Sequence, residues 1–128
     1  MKPTVLCYHL KGTKKGRQIA MIFGYLGYKI RHIEPKEYQI PIGVLVGINQ
    51  PKQESFYEGE EFTDEMLVMY VPSEELLDKA LFLMRKEKVQ VPLKAMVTET
   101  NQNWTSMELY EEILKEHKFM AENNRNIE

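Results

Sequence analysis

The sequence predicts an α/β domain in which strand, helix and strand occur twice in succession, followed by one further helix. Three observations carry that expectation. Two runs rich in β-formers, TVLCYHL at residues 4–10 and EMLVMYV at residues 65–71, each precede apolar residues at helical spacing. Each helical pattern is opened by a hydroxyl residue suited to cap it, Thr13 and Ser73. Each is followed by another strand-like stretch, at residues 29–33 and 91–98. The order βαβ–βαβ plus a C-terminal helix suits a ferredoxin-like α+β sandwich, with helices on one face of an antiparallel sheet. The alternative is a three-layer, Rossmann-like parallel sheet in which the middle of the chain supplies a crossover helix.

The first strand ends at Lys11-Gly12, and Thr13 caps a helix whose buried side is Ile19, Ile22, Phe23 and Leu26. Gly27 stops that helix as a left-handed cap does, and Pro35 closes the strand at residues 29–33. Between the halves, residues 38–47 suggest a short helix despite Pro41, Gly43 and Gly47. Residues 49–61 read as an exposed loop carrying Glu54, Glu58, Glu60 and Glu61. After Ser73, Glu74 and Glu75 favour a helix N-terminus, while Arg85, Lys86 and Lys88 favour its C-terminal end. Leu76, Leu77, Ala80, Leu83 and Met84 form its apolar stripe. Val91, Leu93, Ala95 and Val97 alternate on one face of the fourth strand. A last helix is expected at residues 106–120. Residues 1–121 then make one domain, and 122–128 a polar tail expected to fray.

Composition narrows the function classes. The chain has 128 residues, 43% apolar and 28% charged, with a formal net charge of -2. Non-specific nucleic-acid binding needs a basic excess that is absent here, so no nucleic-acid partner is expected. One cysteine, Cys7, excludes an intramolecular disulfide framework. The start of the chain is too short in apolar residues and too polar for a signal peptide. The longest apolar run, residues 40–48, falls short of the about 20 residues of a membrane span. A cytoplasmic protein without membrane contact is therefore expected. The same run, or an open sheet face, is the expected surface of a homodimer.

The run PLKAMVTETNQNWT at residues 92–105, followed by Glu108-Leu109, resembles a bacterial family, domain of unknown function 3783. The family pattern is a strand ending in Leu-Lys-Ala, then Thr-x-x-Asn, Asn-Trp-Thr and a Glu-rich helix. The preceding MLVMYVPSEELLDKAL looks like the family's strand and capped helix, so the resemblance spans residues 66–117. It implies no activity and no cofactor.

Read as residues, Thr105-Ser106-Met107-Glu108 is a capping box, with Trp104 and Leu109 placed as a hydrophobic staple. Thr98, Thr100, Asn101 and Asn103 are residues that build turns through backbone hydrogen bonds. Their functional reading is a ligand-binding loop at a strand's carboxyl end, with Lys94 facing an anionic group. Lys11, Lys14, Lys15 and Arg17, beside Gly12, Gly16 and a helix N-terminus, are a second anion-binding candidate. Their spacing departs from the phosphate-binding pattern G-x-x-x-x-G-K-[ST], and an ordinary basic turn explains them as well. Cys7 and His9, read as sharing a strand face, with His32 nearby, could in principle hold zinc, but no ligand spacing supports a metal. His117 reads as a surface residue. Glu54, Glu58, Glu60, Glu61, Asp64 and Glu65 lie where nothing apolar would raise a carboxyl pKa for acid–base work. No nucleophile–base pairing is visible. The expectation is a non-catalytic small-ligand or protein-interaction module. The alternative is a small enzyme acting on an anionic substrate through Lys94 and the 98–103 loop.

Overall fold

The fold is a computed structural model that describes residues 2–51 and 57–127. Strand β1 (Thr4–Tyr8), helix α1 (Lys14–Tyr25) and strand β2 (Lys29–Ile33) form the first unit. A 3-10 turn at Pro35–Glu37 and a short helix α2 (Ile42–Leu45) follow. Strand β3 (Met66–Tyr70), helix α3 (Glu74–Lys86) and strand β4 (Leu93–Met96) form the second unit. A 3-10 turn at Asn101–Asn103 leads into helix α4 (Ser106–Ile127), which runs past the expected end at Met120. Of the expected polar tail, Glu128 lies outside the described residues, as does Glu54 of the acidic loop.

The sheet order is β2-β1-β3-β4. Within each unit the two strands are parallel, β1 with β2 and β3 with β4, while β1 and β3 pair antiparallel. The repeated βαβ order is therefore present, but in a mixed sheet. It is neither the antiparallel ferredoxin-like sheet nor an all-parallel Rossmann-like one. Helices α1 and α3 share one face, packing Ile19, Ile22, Phe23, Ala80 and Met84 on Val5, Cys7, Leu67 and Met69. The other face is covered as well. Tyr38, Ile42, Leu45, Phe62 and Leu109 pack there on Leu6, Tyr8, Met66 and Val68. The expected sandwich with one open face is thus corrected to three layers. The physical reason is in the strands: every residue of β1 is buried, and so are four of the five in β3. Strands apolar on both sides must be covered on both sides.

The apolar run at residues 40–48 is part of that covering. Ile42, Leu45 and Val46 are buried in the second core, so these side chains are not available to the homodimer surface expected there. Among the described residues, the large apolar side chains that remain exposed are Met21 and Tyr25 on α1, Phe82 on α3 and Phe119 on α4.

Two glycines fix the turns of the first unit. Gly27 has φ 86 and ends α1, as expected of a left-handed cap. Gly16 lies against Leu10, and a Cβ there would run into the Leu10 carbonyl. β1 ends earlier than its sequence suggests because His9 takes φ 61, which breaks the ladder.

Candidate functional site

The most recognisable stretch of the sequence folds into a self-satisfied loop. Asn101 is buried; its Oδ1 accepts from the Thr98 amide at 2.8 Å and its Nδ2 donates to the Met96 carbonyl at 2.9 Å. The Asn101 amide donates to Thr98 Oγ1 at 3.0 Å. The expected capping box closes in both directions, at 3.2 Å from the Glu108 amide to Thr105 Oγ1 and 3.0 Å from the Thr105 amide to Glu108 Oε1. Trp104 and Leu109 belong to the same apolar cluster. The loop also fastens the middle segment to α4. The Ile42 amide donates to the Trp104 carbonyl and the Ser106 amide to the Tyr38 carbonyl. Ser106 Oγ meets the buried Tyr8 hydroxyl at 2.7 Å. Thr98, Thr100 and Asn103 are exposed.

Lys94 is not part of that loop. It sits near the start of β4, in register with Leu67, whereas Thr98 lies beyond the strand's other end. At about 3.3 Å per residue, the two positions are roughly 13 Å apart. Lys94 instead joins a cleft of about 940 Å³ at the opposite end of the strand. Lys15, Glu65, Arg85, Lys88 and Lys94 supply its charges, and Leu81, Met84, Val89, Val91 and Pro92 its apolar lining. The elements explain the meeting. The capped start of α1 presents Lys15, the last turn of α3 presents Arg85, and the return loop after α3 presents Lys88 in a left-handed conformation, φ 58. Lys15 Nζ pairs with Glu65 at 2.6 Å, and Lys94 Nζ donates to the Val91 carbonyl at 3.2 Å.

The structure therefore divides the sequence candidates differently. Of the basic turn, Lys15 reaches the cleft. Lys11 lies 3.8 Å from Glu34, and Lys14 and Arg17 are exposed. The turn's glycine at residue 16 has a structural cause, since a Cβ there would run into the Leu10 carbonyl while its amide donates to Thr13 Oγ1 at 2.9 Å. Arg85 and Lys88 are cleft residues that the sequence did not single out as a site, and Glu65 was weighed there only as part of the acidic loop. Arg85 and Lys88 read there as cations favourable to a helix end, and that reading hid their second surrounding.

Cys7 and His9 do not share a face. Cys7 packs beneath α1 and α3, where burial pushes its thiol up to about 12. His9 turns toward the second core, with Nε2 3.0 Å from the Tyr38 hydroxyl and its ring edge-on to Phe62. His32 is the register partner of Cys7. Its pKa is lowered by burial and by Lys11. Among the described residues no group of three His, Cys, Asp or Glu is placed to hold a metal. Asp64 accepts from the Tyr110 hydroxyl at 2.8 Å, and Glu58, Glu60, Glu61 and His117 are exposed.

Fold and cleft together define a four-stranded mixed α/β module with a cation-lined groove at one end of the strands. Residues 65–120 match the family model of a domain of unknown function, DUF3783. That segment holds β3, α3, β4 and the capped start of α4, and it contains the PLKAMVTETNQNWT run on which the resemblance rested. No curated protein and no solved structure matches the chain. Among the described residues, no helix is long and apolar enough to cross a membrane.

Proposed function

We propose that the protein is a non-catalytic module that binds a small anion in the cleft between the start of α1, the end of α3 and β4. The observation that carries this reading is the convergence of Lys15, Arg85, Lys88 and Lys94 on one groove that holds a single carboxylate, Glu65. Cations gathered around a concave, partly apolar surface concentrate an anion and strengthen its attraction. The lining contains no Ser, Thr, Cys or His, so it offers neither a hydroxyl or thiol nucleophile nor an imidazole base. The 98–103 loop contributes nothing to this groove, because its inward polar atoms are occupied by backbone.

Titration with inorganic phosphate at low ionic strength tests the reading, followed by backbone amide shifts. Lys15, Lys88 and the Gln90–Lys94 segment should shift together and saturate. Lys94→Ala and Arg85→Ala should each weaken binding by about three- to tenfold, and added salt should weaken it further. Shifts confined to residues 98–103, or none at millimolar phosphate, would refute it.

A further inference from the structure

Resting on that anion-binding reading of the same cleft, we infer that its ligand is an organic phosphate carrying two negative charges on an apolar body. Charge sets the first requirement. Lys15 is neutralised by Glu65, whereas among the described residues no carboxylate pairs with Arg85, Lys88 or Lys94. Three uncompensated cations suit a dianion better than a singly charged group. Arg85 adds a planar fork that matches two phosphate oxygens at once.

Size and lining set the second requirement. At about 940 Å³ the cleft lies in the range of ~300–1,000 Å³ typical of pockets for organic ligands. An inorganic ion would leave most of it to water. Leu81, Met84, Val89, Val91 and Pro92 provide surface that such an ion cannot use and that a hydrocarbon body can cover. The cleft is also a concavity, which a free molecule enters and a flat lipid surface does not.

Calorimetric titration of the full chain with phenyl phosphate and with inorganic phosphate, at equal ionic strength, tests this. Phenyl phosphate should bind at least about tenfold more tightly, the gain expected from covering part of an apolar floor. Leu81→Ser should remove most of that gain, and a circular dichroism spectrum and melting temperature close to the parent's show that the chain is still folded; an undiminished gain would overturn the organic body. Equal affinity for the two probes would overturn the organic ligand and leave the anion site standing. Binding of neither would overturn both. Vesicles containing phosphatidic acid should leave the protein in the supernatant; if they pellet it, the phosphate belongs to a membrane and the free-ligand inference fails.

Discussion

Asn101 shows how a residue that looks like a ligand contact can be spent on the fold. Its side chain uses one oxygen and one nitrogen on two backbone groups that have left the strand ladder, the Thr98 amide and the Met96 carbonyl. Asn101→Ala would strand both in a buried setting and should cost about 2–3 kcal/mol of stability, as unmet buried polar groups do. Thr105→Ala removes one exposed cap bond and should cost about 1 kcal/mol. Urea denaturation of the two variants checks the order. An Asn101→Ala chain as stable as the parent would return that side chain to the pool of ligand contacts. The capping box was legible in the sequence because its bonds join neighbours in the chain. The Ser106–Tyr8 hydroxyl pair was not, since it joins residues that only the finished fold brings together.

The cleft belongs to the scale of elements, because its cations arrive from α1, from α3 with the loop after it, and from β4. The end of α3, the start of α1 and the first residues of β4 meet through the parallel pairing of β4 with β3 and the packing of α1 beside α3. Lys15 and Lys94 were anion candidates in the sequence, but in two separate sites, and Arg85 and Lys88 read only as helix-end charges, so nothing local announced that the four share one groove. The α1 end of it depends on Gly16. Thr13 caps the helix through the Gly16 amide, and that amide sits where the backbone of Leu10 leaves no room for a side chain. Gly16→Ala would push α1 off the Leu10 carbonyl and should destabilise the protein by about 1–3 kcal/mol, the usual cost of overpacking. Thermal unfolding measures the loss. The same variant should weaken phosphate binding by displacing Lys15, whereas an unchanged melting temperature would mean that α1 needs no such close approach.

For the whole molecule, the βαβ repeat was legible, and three layers entered only through the alternative reading, which made the sheet all parallel. The relevant signal lay in β1 and β3 themselves, whose apolar residues run without alternation and so require cover on both faces. What supplies the second cover is the segment around Tyr38 and α2, where a short helix was expected but where Pro41, Gly43 and Gly47 left too little periodicity to show which face it covers. Closing both faces buries titratable groups, and this sets the pH range of stability. His32 is held below its ordinary pKa by burial and then by Lys11. Its contribution is complete above about pH 6.5, the unfolded value, and is lost as pH falls through the lowered folded value. On the alkaline side, burial holds Cys7 and Tyr38 up to about 12, with Glu61 and Tyr57 adding to the effect at Tyr38. Burial also raises Tyr8, against the hydrogen bond from Ser106. These groups keep protons in the folded state that the unfolded chain releases from about pH 9 upward, so their contribution is complete below that and lost as pH rises toward about 12. Urea midpoints should accordingly fall on both sides of a plateau between about pH 7 and 9. Cys7→Ala should lower the plateau, because it leaves a cavity, and should make the decline just above about pH 9 shallower, because the thiol no longer titrates on unfolding. If the variant declines as steeply there as the parent, the thiol does not drive that arm, and the tyrosines alone must account for it.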